Sequence, residues 1–354
     1  MPKPASHPWR LGLDQSLGSA RWRALASAAL APFWPVHDLP AGRLTQGIDE
    51  TGPSATELAA EAPEALRAPL LREGDTRDRL AHRIAEGPFD IDPLSGALFS
   101  EGRLTRPDVR PRELLATPAA RPDLTRRLRL RRIPREPSLP LYTGAEVSLG
   151  AFLIDVLPRF FAIEALDLPR DLLLLVSVRM GMLPQFQDAL NDGLFRPRPV
   201  ELMRQGRVVQ AQTVHLVDRP LLRGDIHARL HDRLATLYGL PKQPGGSIRT
   251  VVLATGGRAG LATLIARSPE LRARVEEDGA RIIDPRTLPL RDLVACLWGA
   301  DTVIAPECGE AAAFLLAGPT LRQLVLVASA NGTAPDPRPW LMARAMGLDC
   351  IRTD

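Results

Sequence analysis

Two acids, Glu307 and Glu310, stand between a short apolar run, Thr302 to Ala305, and a small-residue segment that begins near Cys308. The run reads as a buried strand, Pro306 as an abrupt turn, and Cys308 to Leu316 as a helix. A strand that feeds directly into a helix opening on small residues brings backbone N–H groups up to an anion, phosphate above all. Pro306, Cys308 and Gly309 are therefore candidates to contact such a ligand. Carboxylates at the same place are held charged by the helix dipole and serve either as bases or as caps of the first turn.

A second stretch, VVLATGGRAG, puts Thr255, Gly256, Gly257 and Arg258 between a strand and a helix. The glycines allow close backbone approach to a ligand, and Arg258 supplies positive charge. Asp284 follows the next strand, where an acid can meet a ribose hydroxyl. Asp155 is a candidate base, and equally a helix acid spaced to pair with Arg159 at i+4. His227 and His231 also stand at i and i+4, a spacing that can chelate a metal. No HExxH pattern or third ligand accompanies them, so they are expected on a solvated helix face and no metal site is expected.

The elements that must hold these residues alternate clearly only in the later two thirds of the chain. Residues 1–136 are rich in Pro, Arg and acids, with helical patterning from Ser54 to Ile84 and a hairpin over Ala97 to Val109. Arg126 to Ile133, RRLRLRRI, alternates as an edge strand does. From Ser138 the pattern predicts a strand at Leu139 to Thr143 and a helix over Ser148 to Leu166, interrupted at Pro158. A strand at Leu172 to Val178, a helix at Pro184 to Asn191, strands at Val200 to Met203 and Val208 to Val217, and a helix at Arg223 to Tyr238 follow. Leu240 to Ser247, LPKQPGGS, has the composition of a hinge. Beyond it, strands at Ile248 to Ala254, Arg281 to Ile283, Thr302 to Ala305 and Gln323 to Ala328 alternate with helices, one spanning Leu261 to Glu277. Such alternation predicts a parallel, doubly wound sheet. The expected fold is α/β, with two Rossmann-like domains, 137–243 and 244–354, facing across a cleft, and 1–136 as an irregular accessory or lid region.

Composition narrows the partners. Only two of the 45 basic residues, Lys3 and Lys242, are lysine, and the formal charge is +4. With two Tyr and nine Phe, base-stacking platforms are scarce, so nucleic acid is not an expected partner. The arginine excess suits anionic small molecules such as nucleotide diphosphates, or acidic lipids. The three cysteines show no CxxC spacing, as expected of a reducing compartment, and the longest apolar runs fall short of a membrane span, so a cytoplasmic location is expected.

Three segments, in this order, resemble glycosyltransferase family 61, the capsular-polysaccharide type: SLGAFLIDVLPRF (Ser148 to Phe160), IRTVVLATGGR (Ile248 to Arg258) and DPRTLPLRDLVACLWGADTVIAPECGEAAAFLLAGP (Asp284 to Pro319). The resemblance covers about residues 138 to 330. It implies a GT-B-like enzyme that inverts the anomeric centre of a nucleotide-sugar without a metal, with the acceptor domain first and the donor domain second. No cofactor beyond the donor is implied. The implied partners are a nucleotide-sugar, a glycan acceptor, and peripheral contact with the inner membrane or a polysaccharide assembly complex. Ala151 stands where the family carries a His, Thr255 replaces an Arg, and Glu307, Cys308 and Ala313 replace its His, Gly and Asn. Two alternatives remain open. One is a catalytically inactive relative with a binding or regulatory role. The other is a dinucleotide-dependent oxidoreductase, suggested by VVLATGGRAG followed by RIID.

Overall fold

The computed structural model describes residues 36–38, 43–49, 60–66, 79–91, 98–100, 103–106, 131–134, 137–141, 147–204, 207–217, 224–242, 249–256, 258–267, 269–277, 279–328 and 336–353. The fold is mixed α/β, built on two sheets. The first has ten strands: β1 (Val36–Asp38), β2 (Arg43–Asp49), β3 (Arg79–Ile91), β4 (Leu98–Ser100), β5 (Arg103–Arg106), β6 (Arg131–Pro134), β7 (Ser138–Pro140), β8 (Leu173–Val176), β9 (Val200–Leu202) and β10 (Arg207–Val217). Strands β10, β7, β8 and β9 lie side by side in that order and run parallel, and β3 joins them antiparallel through β10.

Strand β3 replaces the end of the helix expected to reach Ile84. Ala85, Phe89 and Ile91 are buried at alternating positions, which is the strand period. Gly87 and Pro88 hide that period in the sequence. They stand where the register with β10 slips between Ala211 and Thr213, a bulge that leaves the missing proline N–H without consequence. The expected hairpin is present, with Phe99 opposite Leu104 and Ser100 opposite Arg103. Of the alternating arginine run, β6 retains the last part, while 126–130 lie outside the described residues.

The helical stretch after β7 starts at Ser148, whose Oγ accepts the Ala151 N–H at 3.1 Å. It comprises α1 (Leu149–Ala151), a π-helical segment (Phe152–Val156) and α2 (Leu157–Ala165). Pro158 was expected to interrupt the helix. Instead the helix widens just ahead of it: the Leu157 N–H reaches back to the Phe152 carbonyl, and the chain continues without a break. Helix α3 (Pro184–Asp192) follows β8 and α4 (Gly224–Tyr238) follows β10.

The second sheet is wholly parallel: β11 (Thr250–Leu253), β12 (Arg281–Ile283), β13 (Thr302–Pro306), β14 (Gln323–Val327) and β15 (Asp349–Thr353). The single helix expected over Leu261 to Glu277 is two, α5 (Arg258–Arg267) and α6 (Pro269–Glu277), because Pro269 can open a helix but cannot continue one. Helix α7 (Leu290–Leu297) precedes β13 and α8 (Arg338–Ala345) precedes β15. Gly309–Leu316 is a 3₁₀ helix, tighter than the α-helix expected there.

Helices from both halves bury their apolar faces in one continuous core, which runs from Leu139 through Phe160 and Phe186 to Leu293, Phe314 and Trp340. Polar contacts fix the register between the halves. Gln185 Nε2 donates to the carbonyls of Pro285 (3.2 Å) and Leu288 (3.1 Å). Asp188 Oδ2 accepts the Leu290 N–H at 2.9 Å and caps α7 from outside, since its own cap residue is Pro289. The tightest approach is Gly150 on Gly309, where a Cβ on Gly150 would fall 2.4 Å from the Gly309 carbonyl oxygen. Backbone cannot yield there as a side chain would. We expect Gly150→Ala to lower stability by about 1–3 kcal/mol or more in urea unfolding.

In the first sheet, His82 Nε2 and His215 Nδ1 lie 3.0 Å apart with both residues buried. Burial, and then the nearby His215, push the His82 pKa down to about 4, and burial lowers that of His215. Both rings are thus neutral in the fold, while an unfolded histidine protonates near 6.5. Unfolding therefore takes up protons between pH 6.5 and 4, and stability falls as pH drops through that window. His82→Gln should reduce the proton uptake, read from the slope of unfolding free energy against pH, by about one proton.

Candidate functional site

Numbered along the chain, the strands of the second sheet stand in the order 2-1-3-4-5, which reverses between β11 and β13. In open parallel sheets, ligands bind in the crevice opened by such a reversal, beyond the carboxyl ends of the strands. Three of the stretches that the sequence singles out lie at these ends: Thr255–Gly256 after β11, Asp284–Thr287 after β12, and Glu307–Gly309 after β13.

The first turn is held from the side. Gly256 adopts φ +86°, which excludes most residues, and its N–H donates to Asp284 Oδ2 at 2.8 Å. Asp284 Oδ1 accepts the Arg286 N–H at 3.0 Å, so one carboxylate braces two loops. A Cβ on Gly260 would lie 2.1 Å from the Thr255 carbonyl oxygen, so the first turn of α5 rests directly on the strand end. In Thr255-Gly-Gly-Arg-Ala-Gly260 the glycines at the third and sixth places match the dinucleotide-binding pattern G-x-G-x-x-G, and Thr255 takes its first place. Gly260 thus has the close-packing role of that pattern, legible in the sequence but overlooked. Gly257 lies outside the described residues, and Arg258 opens α5.

The third loop carries most of the charge. Arg286 Nε donates to Glu310 Oε1 at 2.9 Å, and its Nη2 bonds to the same oxygen. The arginine side chain is 56% exposed and the carboxylate 12%. Burial works against the Glu310 charge, but the Cys308 thiol and Arg286 outweigh it and hold the carboxyl below its ordinary range. Burial, and then Glu310, push the Cys308 thiol up to about 12, so it stays protonated at neutral pH and is no nucleophile.

Glu307 points elsewhere. It is 3% exposed and accepts two bonds from Arg352 on β15, from Nε at 3.0 Å and Nη2 at 3.3 Å, reaching past β14. Asp155, also buried, lies 3.6 Å from Arg338 Nη1, and Arg338 Nη2 bonds to Asp336 at 2.8 Å. Asp336 Oδ2 and the Ser148 Oγ flank Gly309. Arg159 donates to the Leu141 carbonyl at 2.9 Å. The structure therefore brings Thr255, Gly256, Asp284, Pro306, Cys308, Gly309 and Glu310 to one rim, adds Arg286 to it, and turns Glu307 away toward β15. Arg352 carried no signal in the sequence, since its partner Glu307 lies 45 residues away, and Arg338 carried none toward the distant Asp155, although Asp336 is its near neighbour.

His227 and His231 are not on a solvated face. Their rings lie 4.0 Å apart, and His231 stands edge-on to Trp298 at 5.6 Å. Among the described residues, no group of three or more His, Cys, Asp or Glu could hold a metal. No described helix is long and apolar enough to cross a membrane.

No protein-family model matches the chain, and no curated protein matches it.

Removing one partner of a buried ion pair leaves the other charge uncompensated. Glu307→Ala should therefore cost about 3–5 kcal/mol in chemical unfolding, whereas Glu310→Ala, at a partly exposed pair, should cost about 1 kcal/mol or less.

Proposed function

We propose that the chain is a nucleotide-sugar-dependent glycosyltransferase of the family 61 type, its two halves a pair of Rossmann-like units. The observation that carries the reading is the order reversal between β11 and β13, with its glycine turn and a half-exposed arginine on the rim. The segments at that rim are also those that resemble the family.

In this reading the donor diphosphate lies over the Gly256 turn, and Asp284 faces the nucleoside ribose. Transfer requires positive charge on the departing diphosphate and a base for the acceptor hydroxyl. Arg286 and Arg258 supply the first. When Arg286 exchanges Glu310 for the diphosphate, the Glu310 carboxylate is released to accept the acceptor's proton. The acceptor is a glycan of cell-surface polysaccharide, met in the cytoplasm at the membrane face or within an assembly complex.

A second reading is a binding protein that performs no transfer. It is favoured by one observation: each acid nominated as a base is held by an arginine, Asp155 by Arg338, Glu307 by Arg352 and Glu310 by Arg286.

Calorimetric titration with a panel of nucleotide-sugars, run beside NAD(H), tests both. Glycosyl transfer predicts binding of at least one donor, weakened about ten-fold or more in Arg286→Ala, and turnover abolished in Glu310→Gln with donor binding retained. Donor binding without product favours the second reading, and binding of NAD(H) alone overturns both.

A further inference from the structure

The end of the second sheet opposite the proposed donor crevice carries a separate pocket of about 550 Å³, a volume that suits a small-molecule site. Its walls come from both halves of the chain. Helix α4 contributes His227, His231 and Asp232, and the other side is formed by Trp298 and by the turns that lead into β14 and β15. Trp298, Leu321 and Leu348 are buried and give the cavity an apolar floor. The indole is fixed in place, since its Nε1 donates to the Pro241 carbonyl at 2.8 Å and His231 stands edge-on to it. The turn before β14 rests on the same residue: a Cβ on Gly318 would fall 2.2 Å from the Trp298 carbonyl oxygen. The floor of the cavity is thus formed before any ligand arrives.

The charge around this floor is one-sided. Lys242 and Arg322 both line the cavity and are exposed, and among the described residues neither forms an ion pair. The acid on the same wall, Asp232, is paired with neither of them. Burial, and then the neighbouring ring, push the His227 pKa down to about 3, and burial pushes that of His231 down to about 4. Both rings are therefore neutral at pH 7 and add no charge. Two cations against one acid leave the cavity positive, and a concave, partly apolar site concentrates that potential. A cation would be repelled there, and a neutral apolar molecule would gain nothing from Lys242 and Arg322. An anion with an apolar body uses both the floor and the charge.

We propose that this pocket binds a small organic anion, its aromatic or aliphatic body against Trp298 and Leu348 and its acidic group facing Lys242 and Arg322. The ligand touches α4 on one side and the second sheet's turns on the other, so it bridges the two halves. This site is independent of the crevice between β11 and β13.

The test titrates two probes into the full chain: 8-anilinonaphthalene-1-sulfonate, whose fluorescence rises on leaving water, and N-phenyl-1-naphthylamine, which has the same aromatic body without the charge. The sulfonate should bind saturably and more tightly than the amine. Lys242→Gln combined with Arg322→Gln should weaken the sulfonate about ten-fold or more and change the amine by about two-fold or less. Ala228→Trp, which fills the cavity from the exposed side of α4, should block both probes, while Arg286→Ala at the crevice leaves both unchanged. Equal affinity for the two probes, an equal loss of both in the charge variant, or full binding in Ala228→Trp overturns the proposal. Should Ala228→Trp fail to fold, the charge variant decides, since both of its positions are exposed. Displacement of the sulfonate by phenyl phosphate assigns the ligand to soluble anions, displacement by phosphatidylglycerol vesicles alone assigns it to anionic lipids, and displacement by neither overturns the proposal.

Discussion

The seam between the two halves depends on two glycine backbones meeting. Gly150 and Gly309 come from opposite halves, and a side chain on Gly150 would run into the Gly309 backbone. That approach lets α1 lie directly on the start of the 3₁₀ helix, and the apolar faces behind it then merge into one core. The cost of such closeness is borne by polar groups that answer each other across the same line, Gln185 with the 285–288 loop and Asp188 with the first turn of α7. A loop-borne site gains precision when rigid elements hold it from behind.

The electrostatics at the carboxyl end of the second sheet divide by burial. Glu307 and Arg352 are both largely withdrawn from water, so each serves chiefly to satisfy the other. The Arg286–Glu310 pair lies at the rim, where water competes for the half-exposed arginine but much less for the carboxylate. Two acids three residues apart in the sequence thus have different physical fates, decided by which way the chain turns after Pro306.

The second sheet was largely legible because parallel strands buried on both faces read as apolar runs, VVL and VIA among them. Strand β15 was not: Asp349–Thr353 lies at the sheet edge, its residues are half-buried or exposed, and DCIRT has no apolar run. Strand β3 was hidden by a bulge, and the break before α6 by a helical period that continues through Pro269. At the candidate site, the glycine turn and Asp284 could be read from spacing alone. Arg286, Arg338 and Arg352 could not, because in a chain so rich in arginine only three-dimensional pairing separates a structural guanidinium from a solvated one.

The bond between Glu307 and Arg352 also links two times in the life of the chain. The partners are 45 residues apart in sequence, and β14 must be placed between them before they can meet. During synthesis, the turn after β13 emerges well before its arginine, so its carboxylate stays hydrated until β15 adds to the sheet. The turn after β13 therefore lacks its buried partner until residue 352 has been made and β15 has joined the sheet.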